Sequence, residues 1–249
     1  MVTKTRNEFF VKVPSSRTND IAIEEDIVEE VARVYGYHKI PNLLPIFAEQ
    51  SFYHQEKNEF YWIQKIKDAF KFWGFNETYT YSMVSEEFFD GPIEQAVKLK
   101  NPLSEDRVYL RNSLIPSILE VIETNKNQND LKLFEVANVY IKKTNSLPDE
   151  ILHIAGVIKG NSATFYNVKG ILEQLFKVLG IEKFSFSKKE DGIDGAVVKI
   201  NEKNIGAIEV EKEVSFELDL LEVLKNATQE KKYIEPSKFP ESIEDVRVV

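Results

Sequence analysis

Four carboxylates, Asp20, Asp26, Glu29 and Glu30, fall in one short stretch of this chain, RTNDIAIEEDIVEEVARVYGYHKIP from Arg17 to Pro41. Oxygen ligands in that density suit a hard divalent cation. Mg²⁺ keeps several of its waters and often needs only one or two direct carboxylates, so clustered acids can hold it directly or through water. A second reading stays open, because acids in the first turn of a helix also complement its macrodipole and need no metal.

The elements that must position these acids are a strand and a helix. The alternating run Phe-Val-Lys-Val-Pro at 10–14 reads as extended. Asp26 suits a helix cap, and Ile27, Val28, Val31, Ala32 and Tyr35 then recur near helical spacing until Gly36 provides a stop. That helix carries Asp26, Glu29 and Glu30 on one face. A short connection from the strand returns Asp20 toward the same face.

Composition narrows the class. A chain of 249 residues with 43% hydrophobic content buries a sizeable core and has room for one large domain with smaller pieces. It contains no cysteine, which excludes disulfides and thiolate metal sites. No apolar run approaches the ~20 residues that span a bilayer, and the start MVTKTRNEFF has no apolar segment for secretion, so a cytoplasmic location is expected. The net charge of −9 argues against a general nucleic-acid-binding surface, which needs clustered Lys and Arg.

Pro41, Asn42 and Pro45 end the acidic piece in a connector. Beyond it, between Tyr53 and Trp73, Phe60, Ile63, Ile66, Phe70 and Trp73 trace a helical stripe closed by Gly74. Strands are expected at 78–84, 131–141, 151–158, 196–200, 205–210 and 215–220, where β-branched and aromatic residues concentrate. Helices are expected at 113–123 and at 166–179, the latter stopped by Gly180. This order predicts an α+β fold, an antiparallel sheet flanked by helices.

The acidic stretch, with EEVARVYGY followed by Ile-Pro, resembles the end of the B5 domain in the β subunit of phenylalanine-tRNA ligase. Five further landmarks resemble the core of the same subunit, in the family's order. They are GFNETYTYSMV at 74–84, NPLSEDRVYLRNSLIPSILEVIETN at 101–125, LKLFEVANVY at 131–140, the helix beginning FYNVKG at 165, and FELDLLEVL at 216–224. The resemblance implies a class II aminoacyl-tRNA synthetase-like core and a partial α/β B5 domain. Its domains would be the C-terminal part of B5 at 1–42, a linker at 43–52, the core at 53–225, and at 226–249 a linker with the first strand of a truncated ferredoxin-like anticodon-binding domain. It also implies that Asp20, Asp26, Glu29 and Glu30 hold Mg²⁺ shared with an α subunit.

The core reads as non-catalytic. Class II enzymes commonly bind ATP through an Arg in a strand motif Phe-Arg-x-Glu, whose planar guanidinium pairs with phosphate. Aligning Glu135 with that Glu puts Leu133 in the Arg position, and no Arg occurs between Arg111 and Arg247 to supply a second one. Phosphate-cradling and dinucleotide Gly-rich motifs are absent too. His38, His54 and His153 are scattered, and His153 lies in the apolar run Ile-Leu-His-Ile-Ala-Gly, as a satisfied core histidine does. Arg107 and Arg111 are expected to pair with Glu105, Asp106 or Glu120 rather than to hold phosphate. The aromatic residues at 60, 61, 62, 70, 72, 73 and 75 have the spacing of core or subunit interface rather than of a base-stacking surface.

The ending PSKFPESIEDVRVV resembles the first strand of the anticodon-binding domain, and the resemblance implies a chain truncated at both ends. Two departures from the family stand out: Glu241 and Glu244 occupy a stretch that is often basic, and the segment 188–195 lacks a His-Pro-Gly-Arg run. The function implied is that of a non-catalytic fragment of an α2β2 ligase that attaches phenylalanine to tRNA(Phe) using ATP, with the α subunit as partner and chemist. The alternative is a free-standing interaction protein built on the same core.

Overall fold

In the computed structural model, residues 2–6, 8–43, 58–161, 163–190 and 192–230 are described. The chain divides into two compact units, Met1–Ser51 and Phe52–Val249. His54, the first residues of the stripe that begins at Tyr53, most of the 43–52 linker and the anticodon-domain-like ending fall outside the described residues.

The first unit contains a two-stranded antiparallel ribbon, β1 (Val2–Lys4) with β2 (Phe9–Val11), followed by α1 (Glu24–Tyr35). The helix begins two residues before Asp26, so this residue sits inside the first turn rather than at the cap. Its backbone ends as expected at Gly36, whose N–H bonds the Ala32 carbonyl. Among the described residues of this unit no side chain is fully buried.

The second unit opens with α2 (Glu59–Phe72), capped by Asn58 and ended near Gly74, whose φ of +83° favours glycine. Then come β3 (Asn76–Glu77), β4 (Met83–Val84), β5 (Val97–Lys98), β6 (Tyr109–Leu110), α3 (Ile115–Thr124), β7 (Leu131–Ile141) and β8 (Asp149–Lys159). The chain continues through α4 (Phe165–Val178), β9 (Phe184–Lys188), β10 (Gly195–Ile200), β11 (Lys203–Val210), β12 (Val214–Asp219) and α5 (Leu220–Leu224).

Seven of these strands form one sheet in the order β3-β7-β8-β12-β11-β10-β9. The five antiparallel junctions from β7 to β9 match the expectation, whereas β3 runs parallel to β7, so the sheet is mixed. More than fifty residues, α3 among them, separate β3 from β7, and a connection of that kind can return a strand in the parallel sense, as a hairpin cannot.

The strand expected at 78–84 is divided. Thr78 N–H still bonds the Phe134 carbonyl of β7, but the Thr80 N–H turns to the Glu135 side chain, and Met83–Val84 pairs with β6 in a separate three-stranded sheet. Once a carboxylate takes a backbone donor, the ladder is broken there. Periodicity cannot register that competition.

One face of the large sheet is covered from β7 to β10, and the other over β7 and β8. On one, α2 and α4 bury Trp62, Ile66, Phe70, Leu172, Leu175 and Phe176 against Phe134, Ile154, Val198, Ile208, Phe216 and Leu218. Phe70 stacks on Phe134 and Phe216 at centroid separations of 5.0 and 5.7 Å. On the other, α3 places Leu114, Ile118 and Ile122 against Leu131, Leu133, Val139, Ala155 and Val157. Burying a side chain of this size stabilises by ~1.5–3 kcal/mol, which makes these two layers the frame that orients every polar group on the strands.

Candidate functional site

The acidic junction of the first unit is built around Arg17. A turn of 3₁₀ helix at Ser15–Arg17 fixes its backbone, with Arg17 N–H bonded to the Pro14 carbonyl and Ile21 N–H bonded to the Arg17 carbonyl. From there the guanidinium donates through Nε to Asp20 and through Nη2 to Glu30, both at 2.7 Å. The second oxygen of Glu30 accepts from Arg33 at 2.7 Å. These donors, Arg17 foremost, pull the Glu30 carboxyl down to about 2 and raise both guanidinium groups above their ordinary value.

Asp26 has a different task. Its Oδ2 accepts the N–H groups of Ala22 and Ile23 at 2.7 and 3.0 Å, satisfying donors at the helix entrance and holding its carboxyl below the usual range. Glu29 is exposed. Among the described residues no three His, Cys, Asp or Glu side chains come together as a metal set. A guanidinium lies between Asp20 and Glu30, and each oxygen of Glu30 accepts a guanidinium donor.

The strand motif of the second unit has a different outcome. Leu133 is 5% exposed and packs under α3, so the position aligned with a catalytic Arg lies in an apolar layer. Glu135 is buried and fully engaged: it accepts from the Thr80 N–H at 3.3 Å, the hydroxyls of Thr78 and Thr80 at 3.3 and 2.8 Å, and Arg111 Nη1 at 3.0 Å. Arg111 also donates to the Asn138 carbonyl and the Thr80 hydroxyl. The network ties the strap after β3, the segment after β6 and β7 into one block. It commits the Arg111 guanidinium to acceptors within the fold.

This corrects the expected partners of Arg111. Its carboxylate is Glu135, 24 residues along the chain, rather than one of the acids near it in sequence. Arg107 does take Glu120, at 3.3 Å. His153 is partnered, as its apolar setting suggested, with Nδ1 2.8 Å from Glu217 Oε1 and 19% of its side chain exposed. Glu217 also accepts from the Ser113 hydroxyl at 2.6 Å and the Leu114 N–H at 3.0 Å, so a carboxylate from β12 caps the entrance to α3. Sequence reasoning missed this role. The only local signal was a charged residue inside the apolar strand 214–219. In the segment without the His-Pro-Gly-Arg run, Lys189 pairs with Glu209 of β11 beside the β9–β10 turn.

Two family models match this chain: the phenylalanyl tRNA synthetase beta chain CLM domain over residues 40–224, and the tRNA synthetase B5 domain over residues 1–37. Among curated relatives, the phenylalanine–tRNA ligase beta subunit of Carboxydothermus hydrogenoformans is 34% identical over 286 residues, covering 100% of this chain and 35% of that protein. The subunit of the same name from Staphylococcus aureus strain RF122 is 35% identical over 202 residues, covering 74% of this chain and 25% of that protein. The chain therefore spans about a third or less of these relatives. Two solved structures of pyrrolysyl-tRNA synthetase from Desulfitobacterium hafniense share the fold. One has TM-score 0.56 at 14% identity, covering 66% of each chain; the other has TM-score 0.55 at 11% identity, covering 70% of this chain and 74% of that one.

Proposed function

Because this chain belongs to the phenylalanyl-tRNA synthetase β-chain family, we propose that it is a non-catalytic segment of the β subunit of phenylalanine-tRNA ligase. It supports an α subunit that attaches phenylalanine to tRNA(Phe) at the expense of ATP. In this reading residues 1–42 are the end of a B5 domain, 53–225 the synthetase-like core, and 226–249 the approach to an anticodon-binding domain, in a cytoplasmic α2β2 assembly. Among the described residues no helix is long and apolar enough to cross a membrane.

The observation that carries the non-catalytic reading is the pair Leu133 and Glu135. The first puts an apolar side chain where adenylate formation needs a guanidinium, and the second spends its carboxylate on Arg111, Thr78 and Thr80. The partner reading draws on exposed rings of the second unit: Phe72 on α2 is 92% exposed and Tyr79 in the strap is 93% exposed. Exposed aromatic rings of this kind suit a subunit interface that buries them on assembly.

Co-expression with an α chain from the same source tests both halves. The expected result is a stable complex, with amino-acid-dependent pyrophosphate exchange measured for α-containing fractions and none for this chain alone. Exchange by the isolated chain would overturn the non-catalytic assignment. Failure to co-purify would point to the free-standing interaction protein instead.

A further inference from the structure

We infer that Arg17 is the resident cation of the acidic junction, its guanidinium standing between Asp20 and Glu30 so that this segment holds its shape without a divalent ion. Two independent features place it. The main chain presents Arg17 at the end of a 3₁₀ turn and immediately before the connection into α1, with the Ile21 N–H returning to its carbonyl at 3.0 Å. The side chain then uses two edges of one planar fork, Nε and Nη2, to bond carboxylates that lie 10 residues apart in sequence, each at 2.7 Å.

A bridge between acids on a connection and acids on a helix is the task a small hard cation performs with oxygen ligands. A guanidinium does it with fixed geometry and directed donors. It also competes with such an ion: each Glu30 oxygen already accepts a guanidinium donor, the second from Arg33 at 2.7 Å. A metal at this place would share the Glu30 oxygens with those charge-assisted donors and sit against two positive charges. Asp26 is already spent on the Ala22 and Ile23 N–H groups, which leaves exposed Glu29 as the acid least committed to the fold. The inference concerns this chain's own residues and holds whether or not an α subunit is its partner.

Hydrogen exchange of the full chain read by mass spectrometry, with Mn²⁺ titration followed by electron paramagnetic resonance, tests it. The expected result is that peptides covering 15–35 exchange at the same rate in EDTA and in millimolar Mg²⁺, with no stoichiometric Mn²⁺ uptake. Arg17→Gln should speed their exchange by about fivefold, the upper end expected when an ion pair at a partly exposed site is lost. Arg17→Lys should fall between, because an ammonium group cannot span two carboxylates as a planar fork does. Peptides of the second unit serve as the internal control for folding and should exchange as in the parent chain. Protection of 15–35 that depends on Mg²⁺, stoichiometric Mn²⁺ in the parent chain, or an Arg17→Gln variant exchanging at the parent rate would each overturn the assignment, the first two in favour of a four-carboxylate metal site.

Discussion

Arg111 Nη1 donates to Glu135 Oε1 at 3.0 Å, with only 2% and 3% of the two side chains exposed. A pair this deeply buried tolerates the loss of one member poorly, because the charge left behind keeps its desolvation cost and loses its compensation. Glu135→Ala should therefore destabilise the second unit by about 3–5 kcal/mol in urea denaturation. The double variant Arg111→Met with Glu135→Leu should be less destabilised than the sum of its parts. Additive losses would show that the two side chains act separately.

Leu133→Arg puts back the residue type that adenylate formation uses, at the aligned position. Here it inserts a guanidinium into the layer of Ile118, Val139 and Val157 without a carboxylate to meet it, since Glu135 is already committed. Loss of about 3 kcal/mol or more of stability is expected. ATP binding by calorimetry should remain undetectable. A folded Leu133→Arg variant that binds ATP would reopen the catalytic reading.

Glu217 joins β12 to the first turn of α3. Glu217→Ala strands the Leu114 N–H and the Ser113 hydroxyl and should cost about 2 kcal/mol, whereas Glu217→Gln keeps an acceptor and should cost roughly half of that. Equal losses would mean that the charge of Glu217, rather than its role as acceptor, holds the helix entrance.

The acidic junction carries its own pH signature. Glu30 is held at about 2 against an ordinary 4.5, so protons bind the unfolded state first as pH falls. Its contribution is present above pH 4.5 and disappears as pH falls through about 2. The signal of the Arg17 Nη2 protons, which donate to Glu30, should persist in NMR at pH 3. In Glu30→Gln it should weaken across the whole acid range.

Much of the large sheet was legible in the chain. Strand β7 coincides with the expected span at 131–141, and β8, β10, β11 and β12 lie within two residues of theirs, because β-branched and aromatic residues concentrate in each. Helices α3 and α4 were equally readable, the second with its stop at Gly180. Several features escaped: the short strands β1, β5 and β6; β9, where serines alternate with its two phenylalanines; the short α5, whose residues continue the apolar run of β12; and the break in 78–84. For the site, sequence located the acids but not the guanidinium among them. Asp26 was readable as a helix-entrance residue, although its place in the first turn rather than at the cap was not.

The sequence by itself determined the family, through ordered landmarks, and the absence of an arginine at position 133, through residue identity alone. Tertiary structure decided which charges meet: Arg111 with Glu135, Glu217 with the start of α3, and Arg17 with Asp20 and Glu30. The reason is one of range. Propensity and burial period are local and leave a repeating trace along the chain, whereas a salt bridge depends on a few ångströms between groups whose separation in sequence carries no such period.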